Sequence, residues 1–222
     1  MLLAVDTSTQ WVGLALYDGA QVLNETVWRT HSHHTVEVAP ALQTLFKSTG
    51  IRPEGLQALG VALGPGSFTS LRIGLAVVKG LALALHLPVV GIPTLDVLAA
   101  AQPLRDMPLA AILQAGRGRL AVGWYQPAHG AWKSDGEAQI ARVEELAQQI
   151  RKPTLVCGEL NAEERQILAR KRKNVILVSP AQSLRRPAVL AELAWKRWQA
   201  GQTDEVIGLA PIYLHVAEPI PA

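Results

Sequence analysis

A single cysteine, Cys157, stands among the 222 residues. An internal disulfide is therefore excluded, and no thiol pair exists to hold a metal. Phenylalanine is nearly as scarce, two residues against six tryptophans, and Trp195 and Trp198 are spaced to pack on one helix face. Charged residues make up only 18 % of the chain while 49 % is apolar. Less polar surface than usual fits a molecule that covers part of itself with another. A net charge of +3 is too small to point to nucleic acid unaided. The opening residues Met1 to Asp6 lack a basic stretch and reach an acid too early for a signal peptide, so the expected compartment is the cytoplasm. No repeat recurs at a solenoid period. Neither His-Glu-x-x-His nor Gly-x-Ser-x-Gly occurs, and Ser67 lies in Gly-Pro-Gly-Ser-Phe instead. Protease chemistry has no residues to perform it.

The most informative stretch is 58–92. A β-favouring run from Leu59 to Leu63 ends in Gly64-Pro65-Gly66-Ser67-Phe68-Thr69, and a segment of helix formers follows. The expectation is strand, tight loop, helix, with Thr69 or Ser70 as the cap. Gly64 and Gly66 suit either a plain turn or a loop whose backbone N–H groups and Ser67 hold an anion at a helix start.

Between Leu71 and Leu85 the only long polar residues are Arg72 and Lys79, and His86 extends their seven-residue spacing into one narrow stripe. A second stripe, Ala76, Gly80 and Ala84, is small enough to let another backbone approach. A helix this apolar is buried on more than one side, either between layers of its own domain or against a partner. Arg72 and Lys79 interrupt any membrane-length run, and no membrane is expected.

The first half reads as strands 2–6, 11–17 and 20–29, helix 35–48, strand 58–63, helix 70–86, strand 88–92 and helix 94–101. Pro40 must kink the first helix or lie near its start. Gln102-Pro103 through Met107-Pro108 marks a boundary between a lobe at 1–101 and a second lobe at 109–222. The second lobe offers strands at 109–115, 119–126, 154–157 and 175–178, helices at 142–151 and 161–172, and a last helix from Pro187 to Gly201. The proline-rich tail after Ala210 is expected to be an extended strap or disordered.

Three strings together, Gly64 to Leu85, Leu2 to Gly19 and Pro211-Ile212-Tyr213-Leu214, resemble one family. It is the dimerisation subunit of the bacterial complex that makes threonylcarbamoyladenosine in tRNA, the TsaB or YeaZ family. The match is close over residues 1–101 and loose beyond. The opening string alone is shared with sugar kinases, actin-like ATPases and the family's catalytic relatives. The resemblance implies a two-lobed actin-like α/β fold built on ribonuclease-H-like lobes, the second reduced and degenerate.

It also shows what this chain has lost. Actin-like ATPases carry an acid and a glycine-rich turn after strand one, whereas here Asp6-Thr7-Ser8-Thr9 has no glycine. Asp6 therefore either caps its own turn or holds a Mg²⁺ through water. Gln114 stands where relatives carry a second acid, and Cys157-Gly158-Glu159 has one glycine where a pair would hold adenosine. Thr94 and Leu98 occupy the positions of two metal-binding histidines in catalytic relatives. Asp6, Gly64, Gly66 and Ser67 remain weak nucleotide candidates, no cofactor and no metal are expected, and no residue is a catalytic candidate.

By resemblance the chain is a non-catalytic subunit that organises the catalytic threonylcarbamoyltransferase subunit, together with a small ATPase subunit, for modification of adenosine 37. It would meet tRNA only through the complex, and would form a homodimer when alone. The rival is an autonomous small kinase of the actin-like superfamily. The partner interface is expected on the helices at 35–48 and 70–86, at Val38, Leu42, Leu45, Arg72, Ile73, Ala76, Val77, Gly80 and Ala84. His31, His33 and His34 form the densest histidine cluster and read as solvated rather than metal-binding. Arg170 to Lys173 close a helix, either as dipole partners or, with Arg185 and Arg186, as an RNA patch.

Overall fold

Every residue of the first strand, β1 (Leu2–Asp6), is buried, because its two faces feed two different cores. Leu3 and Val5 pack with Val38, Leu42, Leu45, Leu59, Leu75 and Val78. Leu2 and Ala4 pack with Ala15, Ala58, Leu190, Ala191 and Ala194. The structure is a computed structural model and describes residues 1–31 and 33–214. The chain divides into two units, residues 1–97 with 185–212, and residues 98–184 with Tyr213 and Leu214.

The first unit adds β2 (Trp11–Tyr17), β3 (Val22–Arg29), α1 (His34–Thr49), β4 (Ala58–Gly64), α2 (Phe68–Leu85), β5 (Val89–Pro93) and the first turn of α3 (Thr94–Ala100). Its sheet runs β3-β2-β1-β4-β5. The β1–β2 and β2–β3 pairs are antiparallel, while β4 lies parallel to β1 and β5 parallel to β4. This is the ribonuclease-H-like order expected of the sequence. Pro40 lies inside α1 without ending it. Helices α1 and α2 cover one face of the sheet.

The other face is covered by α6 (Pro187–Gln199), which corrects the expectation that this helix belongs with the second lobe. Small residues set the fit: a Cβ on Gly60 would come 2.8 Å from the Ala194 Cβ, and one on Gly13 3.0 Å from Pro187 Cγ. A long helix can lie this close only where the strand lacks a side chain. A return of the chain to its first sheet leaves no mark in sequence order, which is why the division at residue 109 missed it. Tyr17, Trp195 and Trp198 meet edge to face, at 5.6 and 4.9 Å between ring centres, so both tryptophans are packing residues as expected. Beyond α6, Asp204 bridges Val89 and accepts from the Gly91 N–H at 2.7 Å, which covers the edge of β5.

In the second unit β6 (Leu109–Gln114), β7 (Leu120–Ala128), β8 (Ala131–Ser134), β9 (Gln139–Ala141), β10 (Thr154–Gly158) and β11 (Val175–Leu177) form one sheet. Its order is β11-β10-β6-β7-β8, with β9 on β7. Strands β6, β10 and β11 are mutually parallel neighbours, and β7 is antiparallel to both β6 and β8. The pattern repeats that of the first sheet, with β6 in the place of β1. Helices α4 (Val143–Gln149) and α5 (Ala162–Ala169) cover it through Leu146, Ala147 and Leu168. The short strands β8 and β9 carry too few apolar residues to be read from sequence. The expected tail falls largely outside the described residues. Before that point, the Ile212 N–H donates to the Leu63 carbonyl at 2.7 Å.

Candidate functional site

Asp6 ends β1 at the position where an actin-like site begins, and it is 3 % exposed. Its Oδ1 accepts from the Ser8 N–H at 2.8 Å, the turn-capping role, and its Oδ2 accepts from Arg185 Nε at 2.7 Å. A terminal nitrogen of Arg185 donates to Thr9 Oγ1 at 3.0 Å and to the Trp11 carbonyl at 2.8 Å. Both carboxylate oxygens thus have protein donors. A divalent ion at this carboxylate would have to displace a buried guanidinium. Arg185 reaches Asp6 across 179 residues, so nothing in the local sequence announces the pair.

The glycine loop is closed in the same way. The Ser67 N–H donates to the Ser8 carbonyl at 2.7 Å, and the Gly64 N–H donates to Thr94 Oγ1 at 2.9 Å. A Cβ on Gly66 would lie 2.2 Å from the Ser8 carbonyl oxygen, and Gly64 has φ +110°. Gly66 serves close packing of the loop onto the β1–β2 turn, and Gly64 lets the backbone pass close to the Ile212 carbonyl. Of the two readings, the anion loop is overturned at Gly64 and Ser67, whose N–H groups are spent internally. The cap of α2 is Ser67, not Thr69 or Ser70: its hydroxyl lies 3.5 Å from the Ser70 N–H and 3.0 Å from Ser70 Oγ. Thr94, at the position of a metal ligand in catalytic relatives, is fully buried and also shares a 2.8 Å hydrogen bond with Ser8 Oγ. A hydroxyl knot occupies that place.

In the second unit Gln114 Nε2 donates to the Glu159 carbonyl at 3.0 Å and to Glu164 Oε2 at 2.8 Å. The amide therefore ties β6 to the start of α5. Gly158 has φ +119°, and a Cβ there would fall 2.0 Å from the Ile112 carbonyl oxygen. That glycine is explained by strand pairing. Burial pushes the Cys157 thiol up to about 12, which leaves no nucleophile at neutral pH.

The histidines do not converge. His34 is buried with Nε2 2.9 Å from the Thr9 carbonyl, whereas His33 is exposed and sits 3.9 Å from Glu37. Among the described residues no group of three His, Cys, Asp or Glu is placed to hold a metal. Arg185 is only 4 % exposed, and Arg186 pairs with Glu25 through two contacts of 2.9 Å. Neither extends an RNA patch. Arg170 to Lys173 remain exposed.

What the first unit does present is one side of α2. Leu75, Val78 and Ala82 face the core, as do Val38, Leu42 and Leu45 of α1, and Leu71 is buried as well. The last three were expected at a partner interface. They are 1, 8 and 2 % exposed, so that part of the expectation is corrected: their face of the helix is taken by the chain's own sheet. Arg72, Ala76, Gly80 and Ala84 are exposed, and Ile73 and Val77 are half-buried. Phe68 and Leu83 add 54 and 64 % exposure on the same helix, and nothing lies within 4 Å of a Cβ built on Gly80. Arg72 stacks on Phe68 at 3.7 Å, and Lys79 Nζ donates to the Ile207 carbonyl at 2.9 Å. Both cations are therefore folded down beside an otherwise apolar surface. The helix is long and apolar enough to cross a membrane by length and composition alone, yet it packs on β4 along one side. Of the two sequence readings, burial on every side within its own domain fails, because Phe68, Ala76, Gly80, Leu83 and Ala84 stay exposed. On α1 the exposed neighbours are Val36, Ala39 and Pro40.

Residues 25–186 match the family model of tRNA N6-adenosine threonylcarbamoyltransferase. Over 225 aligned residues the chain is 31 % identical to the tRNA threonylcarbamoyladenosine biosynthesis protein TsaB of Bacillus subtilis, covering 98 % of this chain and 95 % of that one. Among solved structures, YeaZ from Pseudomonas aeruginosa superposes with a TM-score of 0.80 at 26 % identity, covering 96 and 99 % of the two chains. The ROK hexokinase of Thermus thermophilus, at 12 % identity and a TM-score of 0.50 over 90 and 99 %, shares the fold alone.

Proposed function

Because the chain belongs to the TsaB family of tRNA threonylcarbamoyladenosine biosynthesis proteins, we propose that it works as a non-catalytic subunit that binds the catalytic threonylcarbamoyltransferase through the exposed side of α2. The observation that carries this reading is the exposed apolar surface of Phe68, Ala76, Gly80, Leu83 and Ala84, flanked by the half-buried Ile73 and Val77, on a helix whose other side already belongs to the core. A soluble chain rarely leaves an 18-residue helix so apolar in water. The family model that this chain matches is described as the transferase itself, so the catalytic partner is expected to carry corresponding helices. Two helices from each chain would then pack as a four-helix layer, with Ala76, Gly80 and Ala84 at the close approach. When the partner is missing, a second copy would cover the face.

The small ATPase subunit would join this pair in the cytoplasm, and the transferase would supply the chemistry at adenosine 37. The closed Asp6–Arg185 pair supports a binding role rather than independent nucleotide turnover. Gel filtration of the chain mixed with the catalytic subunit tests the reading. The wild-type pair should co-migrate, and Ala76→Arg should fold with an unchanged melting temperature but abolish the complex. A folded Ala76→Arg variant that still co-migrates would remove α2 from the contact.

A further inference from the structure

The two loops that lead into β10 and β11 place six exposed cations at one end of the second unit: Arg151, Lys152 and the run Arg170 to Lys173. The end is common to all of them because β6, β10 and β11 are parallel and in register. Thr154 pairs with Val175, and Leu155 with Leu109. The Thr154 N–H donates to the Asn174 carbonyl at 2.8 Å, and the Leu155 N–H to the Pro108 carbonyl at 2.9 Å, so the loops themselves are adjacent. Among the described residues none of the six takes part in an ion pair. The acids of the two helices, Glu144, Glu145, Glu163 and Glu164, lie in their first turns, at the opposite end. A helix C-terminus presents roughly half a negative charge, so α5 alone calls for far fewer than the four cations that follow it.

Beside these cations lies a cavity of about 400 Å³, lined by Pro108, Trp124, Gln126, Asp135, Gln149 and Ile150, with Arg151 and Lys152 also on its wall. Gln126 Nε2 donates to Asp135 Oδ2 at 3.1 Å, which orients its amide, and Gln149 is exposed. An indole wall, amide edges and adjoining cations are the three parts that a nucleotide recruits: a stacking surface, hydrogen-bonding groups for a base edge, and charge for phosphate. The volume suits one base with its sugar. An acidic peptide would use the cations and leave the aromatic wall and amides idle.

We propose that the second unit is an RNA-contacting surface, with the backbone of a single-stranded or loop segment laid across Arg151, Lys152 and Arg170 to Lys173 and one unstacked base held in the Trp124 cavity. The choice of RNA over DNA rests on the proposed role in tRNA modification, while the geometry belongs to this unit alone.

Fluorescence anisotropy of the full chain with labelled unmodified tRNA, an octanucleotide single strand and a duplex of equal length, over a potassium chloride series, tests it. Lys171→Glu with Arg172→Glu should weaken tRNA binding at least about tenfold and flatten the log–log salt slope by more than about 1. Trp124→Ala should cost the single strand roughly tenfold, with Trp124→Phe retaining most of the affinity. Gln149→Trp, at an exposed position, fills the same cavity and should act like Trp124→Ala even if the latter fails to fold. The duplex should bind more weakly than the single strand. An unchanged affinity and slope for the charge-reversed variant would overturn the proposal, as would polyglutamate competing as well as RNA of equal charge. Gel filtration with the catalytic subunit separates the two readings. The charge-reversed chain should still co-migrate, and failure of wild-type assembly would sink the subunit role while leaving the RNA titration standing.

Discussion

Arg185 Nε sits 2.7 Å from Asp6 Oδ2, with the two side chains 3 and 4 % exposed. The first acid of an actin-like site is thereby turned into the anchor of the segment that leads into α6. Removing one partner of a buried pair strands the other charge, which costs about 3–5 kcal/mol. Arg185→Leu should lower unfolding free energy in urea by that amount, and Asp6→Leu with Arg185→Leu should lose less than the sum of the single changes. A loss below about 1 kcal/mol for Arg185→Leu would show the pair to be a bystander.

With both carboxylate oxygens of Asp6 engaged and Thr94 bound to Ser8 and Gly64, the isolated chain is expected to leave tRNA unmodified. Incubation with ATP, threonine, bicarbonate and unmodified tRNA, followed by nucleoside mass spectrometry, should give threonylcarbamoyladenosine only after the partners are added. Product from the purified chain alone would place an active site here that the geometry does not show.

The closeness of α6 to β4 gives a stability test. A Cβ at Gly60 meets the Ala194 Cβ at 2.8 Å, and a Cβ cannot rotate away, so only a shift of the strand or helix backbone could relieve the contact. Gly60→Ala should destabilise by about 1–3 kcal/mol. Ala194→Gly in the same chain should recover part of that loss, offset by roughly 1 kcal/mol for glycine inside a helix. Thermal melts of the wild type and the two variants decide it.

Much of the first unit was legible because its strands and helices are read by period. The continuous apolar runs of β1 and β4 mark strands covered on both faces, and Leu71 to Leu85 marks a helix with excess apolar surface. What remained hidden were relations between distant residues. Arg185 looks like a surface cation until Asp6 is seen beside it, and α6 looks like part of the second lobe until Gly60 and Gly13 show where it fits. Val38, Leu42 and Leu45 have the same spacing whether they face a partner or their own sheet. Periodicity finds an apolar side of a helix but not what covers it. The Trp124 cavity draws on β7, α4, the start of β10 and the loops beside them, so no local motif encodes it.

Cys157 gives a pH test with a definite sign. Burial lifts its thiol from 9.0 to about 12, because a thiolate there would lose its hydration. A group whose folded value is raised contributes stability that is fully present below its unfolded value and is lost as pH climbs toward the folded one. Its share should therefore be constant below about pH 9 and decline between about 9 and 12. Cys157→Ala should flatten that part of the curve. At neutral pH a thiol reagent should modify Cys157 only at the rate of unfolding, and prompt labelling of the native chain would contradict the burial.

The contrast between Leu83 and Leu45 tests the assignment of the two sides of the helical layer. Leu83 is 64 % exposed and Leu45 2 %, although each sits at an apolar position of a first-unit helix. Leu83→Glu removes no core contact, so it should leave unfolding free energy within about 0.5 kcal/mol of wild type. If α2 is the contact surface, the same change places a carboxylate in a desolvated interface and should weaken binding of the catalytic subunit by roughly thirtyfold or more. Leu45→Ala should do the reverse, costing about 2–5 kcal/mol of stability while leaving affinity unchanged in whatever fraction stays folded. Unfolding and titration calorimetry read both quantities on each variant. Should Leu83→Glu bind the partner as wild type does, the exposed side of α2 must be covered by a second copy of the chain, and sedimentation of the wild-type protein would then show a dimer that Leu83→Glu dissociates.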